Sequence, residues 1–119
     1  MSIQASLVVV NQTGETLKVV AVSKVNDDAK FGGIEPGQVF EEGTLGQLFM
    51  SNNSFGLAPQ GVGAQVTLVD LTVSRYVTVY LEIPASGSAT FEARDAKGIV
   101  MTTEIPGYGL PYKAVLQKE

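Results

Sequence analysis

The side chains able to do chemistry are few, and their pattern limits what the chain can do. Among 119 residues there is no His and no Cys. Ser–His triads, Cys–His dyads, zinc sites ligated by His or Cys, and a His general base are therefore closed to it. Acid–base work is left to carboxylates, and the candidates are Glu82 and Glu92, with Arg94 near them. Two converging carboxylates are the machinery of glycoside cleavage. On paired strands, however, a Glu–Arg grouping is an ordinary cross-strand stabiliser, and that reading carries more weight. Asp27-Asp28 sets two carboxylates side by side. The alternating ligand spacing of a calcium loop is missing, so the pair reads as a solvated turn. Gly61-Val62-Gly63 resembles a fragment of a phosphate cradle. It lies before a strand and no helix follows, which removes the dinucleotide reading. Asn11-Gln-Thr13 and Asn52-Asn-Ser54 fit the glycosylation pattern, which is frequent by chance. The residue types thus predict no enzymatic activity, no cofactor and no metal.

Recognition chemistry is better supplied. Tyr76, Thr78 and Tyr80 alternate along one run, and Tyr108 and Tyr112 follow near the C-terminus. Tyrosine combines a broad apolar face with a polar tip, which suits sugar stacking, protein contact or the lipid headgroup zone. The bland alternative is that an outer sheet carries Tyr for its strand propensity alone. The stretch Gly43 to Gly63 is the least regular, and Phe49, Met50, Phe55 and Leu57 are its apolar members. Loops carry function more often than cores do, although a loop Phe more often packs its own loop down.

These residues need strands to position them. The run Arg75 to Ala93 reads as two alternating segments meeting at Pro84-Ala-Ser-Gly87. Period-two alternation places Val77, Val79, Leu81 and Ile83 on one face, and Tyr76, Thr78, Tyr80 and Glu82 on the other. In the second segment Ala89, Phe91 and Ala93 point inward while Thr90, Glu92 and Arg94 point outward. Residues 3 to 23, joined at Asn11-Gln-Thr-Gly14, predict a further hairpin. There Val8, Val10, Val20 and Val22 flank Leu7, Val9, Leu17 and Val19, so both faces read as largely covered, the pattern of strands inside a sandwich. Pro36-Gly37 fits a type II turn feeding a strand over 38–42. Further strands are expected over 47–51, 64–71, 99–105 and 112–117, with Asp95-Ala-Lys-Gly98 as a type I turn. Strands at such intervals, with turn signals between them, predict an all-β, two-sheet antiparallel β-sandwich of about eight or nine strands.

Size and charge set the outer bounds. A chain of 119 residues, 45% hydrophobic, is expected to form a single domain over residues 1–119 with a real core. A net charge of −4 argues against nucleic acid and against simple attraction to anionic lipid. No run approaches the ~18 apolar residues of a spanning helix. The N-terminal Met1 to Val10 has no basic region and reads as a first strand rather than a signal peptide. The expectation is synthesis in the cytoplasm without a signal peptide, with release outside the cell as a further step.

Three segments together resemble the aegerolysin family of small β-sandwich proteins. The first is Val9-Val-Asn-Gln-Thr-Gly-Glu-Thr-Leu17, a strand ending in an Asn-x-Thr-Gly turn. The second is Ser54 to Asp70, where the Gly-rich loop at Gln60-Gly-Val-Gly63 leads into a strand. The third is Val77 to Ser88, similar to the family's aromatic strand with its Pro and small-residue corner. The resemblance implies a Cys-poor sandwich that recognises a membrane lipid surface. In several members it also implies a larger pore-forming protein partner, as in two-component cytolysins and insecticidal toxins. By position it places Phe55, Gln60, Tyr76 and Tyr80 in or near the contact surface. One departure is the absence of Trp, in which fungal lipid-binding members are rich at the headgroup surface. That moves the resemblance toward Trp-poor bacterial relatives. The alternatives carried forward are a carbohydrate-binding, lectin-like module and a structural protein that self-associates as a homo-oligomer through its edge strands.

Overall fold

The computed structural model describes residues 2–25, 30–53, 61–84, 86–105 and 111–119. Among them the chain forms ten strands in the order β1 (Ser2–Gln12), β2 (Leu17–Lys24), β3 (Lys30–Gly32), β4 (Val39–Phe40), β5 (Leu45–Asn53), β6 (Val62–Asp70), β7 (Tyr76–Ile83), β8 (Thr90–Lys97), β9 (Ile99–Glu104) and β10 (Tyr112–Lys118). Two five-stranded sheets result. Sheet A runs β3-β5-β1-β10-β9 and sheet B runs β4-β2-β6-β7-β8. The protein is an all-β sandwich. Ten strands rather than eight or nine are present because β3 and β4, of three and two residues, close the two edges on one side. The pairing is also not wholly antiparallel, since β1 and β10 run parallel from Leu7↔Tyr112 to Gln12↔Gln117.

The core lies between the inward faces. Leu7, Val9, Leu48, Met50, Ala114 and Leu116 from sheet A meet Leu17, Val19, Val66, Leu68, Val77, Val79 and Leu81 from sheet B. Each large aliphatic side chain sealed there contributes about 1.5–3 kcal/mol of burial free energy. Alternation decides which residues go in. β6 shows this most clearly, with Ala64, Val66 and Leu68 sealed and Gln65, Thr67 and Val69 on the opposite face.

The β7–β8 hairpin forms as expected, with Val79 opposite Ala93 and Leu81 opposite Phe91. Three other expectations are corrected. Residues 3 to 23 are not a hairpin, because β1 belongs to sheet A and β2 to sheet B. The physical reason is the Asn11 side chain, wholly buried at the corner. Its Nδ2 donates to the carbonyls of Glu15 (2.7 Å) and Phe40 (2.9 Å). Its Oδ1 accepts from the Thr13 amide (3.0 Å) and hydroxyl (2.7 Å). With donors and acceptor committed, the tetrad turns the chain across the sandwich. Secondly, both faces of β1 are covered, Val8 and Val10 being 9% and 7% exposed, but the side that carries these two valines faces away from the core between the sheets. Thirdly, Asp95–Gly98 is not a hairpin turn. β8 continues to Lys97 through a bulge, where Tyr76 pairs with Lys97 and Thr78 with Arg94. Asp95 takes φ 51° inside that bulge, and Gly98 (φ 73°) carries the chain over to β9 in the other sheet.

Candidate functional site

The outward face of sheet B holds the residues the sequence singles out. β7 presents Tyr76, Thr78, Tyr80 and Glu82 outward, because the intervening Val77, Val79 and Leu81 are all sealed in the core. Four residues along a strand separate Tyr76 from Tyr80 by about 13 Å. On one side β6 places Val69, Thr67 and Gln65 opposite Tyr76, Thr78 and Tyr80. On the other, β8 places Lys97, Arg94 and Glu92 opposite the same three residues. β2 adds Lys18, Ala21 and Ser23 beyond β6. The bulge at Val20 lets Ala21 take the outward position and returns Val22 to the core side.

The two tyrosines are not equivalent. Tyr76 is 37% exposed, as a contact residue should be, whereas Tyr80 is 7% exposed. Tyr80 is on the outward face, as alternation requires, yet it is covered there. The Arg94 guanidinium lies over its ring, with its central carbon 3.5 Å from the centroid. Its hydroxyl donates to Glu82 Oε1 at 3.0 Å. Arg94 is in turn tethered to Glu92, Nε to Oε2, at 2.9 Å. Burial first, and then the Glu82 carboxylate, push the Tyr80 phenol above the ordinary tyrosine range. The hydrogen bond to Glu92 holds the Arg94 guanidinium still more firmly charged. Next in the row, the Thr67 and Thr78 hydroxyls share a 2.9 Å hydrogen bond across the strands. Glu82 and Glu92 are thus engaged by the tyrosine and the arginine respectively.

The remaining sequence candidates fall elsewhere. Phe55, Gln60 and Tyr108 lie outside the described residues. Tyr112 is half-buried against the core and meets Phe91 edge to face, at 5.6 Å and 83°, so it belongs to the packing and not to a surface. Gly63 has a packing reason as well. A Cβ there would come within 2.7 Å of the Leu81 carbonyl and 2.9 Å of the Val25 Cβ, where the Val25 amide donates to the Gly63 carbonyl. Asn11, committed as above, offers no nitrogen to a glycan, and Asn52 Nδ2 donates to the Gly61 carbonyl at 2.9 Å. Among the described residues no group of three or more Asp or Glu is placed to hold a metal ion.

Two features escape sequence reasoning. The first is Arg94 as the cover of Tyr80, whose only sequence trace is a pair of outward positions on neighbouring strands. The second is the outward face of sheet A, where Leu45 and Phe49 are each 59% exposed. The run Leu48-Phe49-Met50 carries the signal, since a strand sends the middle of three apolar residues to the opposite face.

No family model and no curated protein matches the chain. Among solved structures it is similar to the crystal structure of IP-1A from Alcaligenes faecalis, determined at 1.8 Å. The TM-score is 0.68 over 98% of this chain and 91% of that one, with 12% of residues identical. At that identity the likeness is one of fold.

Proposed function

We propose that this chain is a non-enzymatic recognition module of the aegerolysin type. It acts at a membrane lipid surface, or in assembly with a larger pore-forming partner, as one part of a binary pore-forming or insecticidal toxin. The observation that carries the reading is the outward face of β7. It sets an exposed Tyr76 and an Arg94-covered Tyr80 on one surface that also carries Lys18, Arg94 and Lys97. Tyr76 makes the first contact, with its ring at headgroup depth. A headgroup phosphate competes with Glu92 for the Arg94 guanidinium, because a bidentate phosphate is at least as good a partner as a carboxylate. The guanidinium then leaves the Tyr80 ring, and the ring joins the contact. Phe55 and Gln60 belong to the same proposed surface through the family resemblance.

A lectin-like role has less support. A sugar stacks on a bare aromatic face, and that of Tyr80 is taken by Arg94. Flotation with vesicles of phosphatidylcholine, sphingomyelin and cholesterol, with and without an anionic lipid, tests the proposal. The protein is expected to float, and Tyr76→Ala is expected to lower the floated fraction severalfold. Absence of flotation on every composition, with a glycan array positive and sensitive to Tyr80→Ala, would transfer the face to carbohydrate.

A further inference from the structure

The two sheets end in four edge strands, β3 and β9 in sheet A and β4 and β8 in sheet B. An edge leaves a row of backbone N–H and C=O groups without a ladder partner, and such rows are ordinarily blunted. Three of these edges are. β3 and β4 have three and two residues. β8 is bulged, with Asp95 at φ 51°, and carries Glu92, Arg94, Asp95 and Lys97. β9 has none of these devices. Its six residues include no Pro and no Lys, its register is unbroken, and its one charge, Glu104, is tied to Lys113 at 3.6 Å. The direction of its free groups follows from the ladder with β10. The Glu119 amide donates to the Gly98 carbonyl, which makes these two a hydrogen-bonded pair in the register of β9 with β10. Antiparallel pairs alternate between bonded and non-bonded. Val100, Thr102 and Glu104 therefore bond to β10, while Ile99, Met101 and Thr103 turn their N–H and C=O groups to the open side.

We infer that β9 pairs antiparallel with β9 of a second copy of the chain, about a two-fold axis through Met101. Hydrogen-bonding parity fits that occupant. Met101 meets its own counterpart and Ile99 meets the second copy's Thr103, so each free group on the open side finds a donor or acceptor. The side chains fit as well. Val100, 42% exposed, stands opposite the second copy's Thr102, and Glu104 stands opposite Gly98, so no like charges face each other. The half-buried Met101 at the rim of the core closes against its counterpart. Charge on the neighbouring edge favours the same axis. β8 lies against β9 across the sandwich, and Gly98 alone joins them. Counted from Gly98, Asp95 on β8 stands level with Met101 on β9. The axis thus passes close to Asp95, in a run that reads Glu92-Ala-Arg-Asp-Ala-Lys97. Reversed in the second copy, that run brings Lys97 toward Glu92 and Asp95 toward Arg94. Its two carboxylates and two cations cancel, so the −4 of each chain is not gathered where the copies meet. A contact of one strand pair is at the low end of interface size, and the isologous dimer is a weak one. It does not rest on the lipid reading, since Tyr76 on β7 and Lys18 on β2 lie inboard of the edge and stay outward in both copies.

Sedimentation equilibrium from about 1 μM to about 1 mM, the range for a weak contact, is the first test. The mean mass is expected to rise from 12.6 kDa toward twice that value. Thr103→Pro removes a free N–H and spares the bonds to β10, a place where an edge strand accepts Pro. It is expected to weaken association by about tenfold or more with unchanged circular dichroism. The register has its own test, which stands even if that variant does not fold. Because the chain has no Cys, Val100→Cys and Thr102→Cys can be made singly, mixed in equal amounts and oxidised. The proposed pairing sets residue 100 of one copy opposite residue 102 of the other as a non-hydrogen-bonded pair, with Cα atoms about 4.5 Å apart, within reach of a disulfide. The mixed disulfide is expected well above its statistical half, and each variant alone is expected to couple poorly. A constant 12.6 kDa mass overturns the inference and leaves β9 to a strand of some other protein. Undiminished association of a folded Thr103→Pro overturns it too, as do homodisulfides as abundant as the mixed one. A rising mass supports the pairing whether or not the protein floats with vesicles.

Discussion

On the outward face of sheet B the protein closes its own polar groups. Tyr80 is bonded to Glu82 and stacked under Arg94, Arg94 is held by Glu92, and Thr67 meets Thr78. Among the described residues no buried side-chain nitrogen or oxygen lacks a partner. On the outward face of sheet A the two valines of the central strand, Val8 and Val10, are buried, and Leu45 and Phe49 on the neighbouring β5 are 59% exposed each. One five-stranded sheet thus has an outward face knit by internal polar bonds beside the exposed Tyr76 and Val39, and the other has an outward face without such a network, where single apolar residues stand exposed. A polar face of that kind is adjustable, because its bonds can be exchanged for bonds to a ligand. An apolar contact, by contrast, gains only by losing water.

The contrast breaks most easily at two adjacent residues of β5. Leu48 is wholly buried and Phe49 points outward. Leu48→Ala is expected to cost about 2–5 kcal/mol in denaturant unfolding, as core truncations do. Phe49→Ala is expected to stay within about 0.5 kcal/mol of the parent. Comparable losses at the two positions would mean that the faces of β5 are misassigned. A smaller effect sharpens the picture of sheet B. Thr78→Val leaves the Thr67 hydroxyl without its partner and is expected to cost about 1–3 kcal/mol. The double change Thr67→Val with Thr78→Val is expected to be nearly neutral, because both polar groups go together. Additive losses would show that the pair is not coupled.

The smallest effect is read by spectroscopy. Tyr80 has a folded-state pKa raised by burial, so its protonated form is favoured in the native protein. Stability from this source is fully present below the unfolded tyrosine value of 10.0, and is lost as pH rises through the higher folded value. An alkaline titration followed by phenolate absorbance is expected to show one late tyrosine, absent in Tyr80→Phe. With no Trp to mask it, tyrosine emission also reports the cover. Arg94→Gln is expected to increase iodide quenching, and equal quenching in the two proteins would mean that the ring is shielded by something else.

Much of the architecture is legible in the residues, and what is not legible has physical causes. β6 and β7 alternate so cleanly that their buried sets follow from the pattern of valine and leucine alone. The Asn11 tetrad announces a turn, but whether it leads back into the same sheet or across to the other depends on the Phe40 carbonyl, 29 residues away. Bulges at Val20 and Asp95 shift the alternation by one residue, so Val22 turns inward against the simple count. The outward direction of Tyr76 and Tyr80 follows from period two. Their unequal exposure does not, because the cover arrives from Arg94 on the next strand. The apolar run of β1 reads true on burial, since Val8 and Val10 are buried like Leu7 and Val9. Such a run shows that both faces are dry without saying which of them meets the other sheet.

Hydroxyl-radical footprinting of Tyr76 and Phe49 in one sample series, with protein concentration and vesicles varied separately, addresses both faces at once. Tyr76 is expected to lose reactivity when vesicles are added, while Phe49 keeps its reactivity in the same samples. Protection of Phe49 by vesicles in dilute protein, with Tyr76 left as reactive as before, would contradict this division of labour between the two sheets.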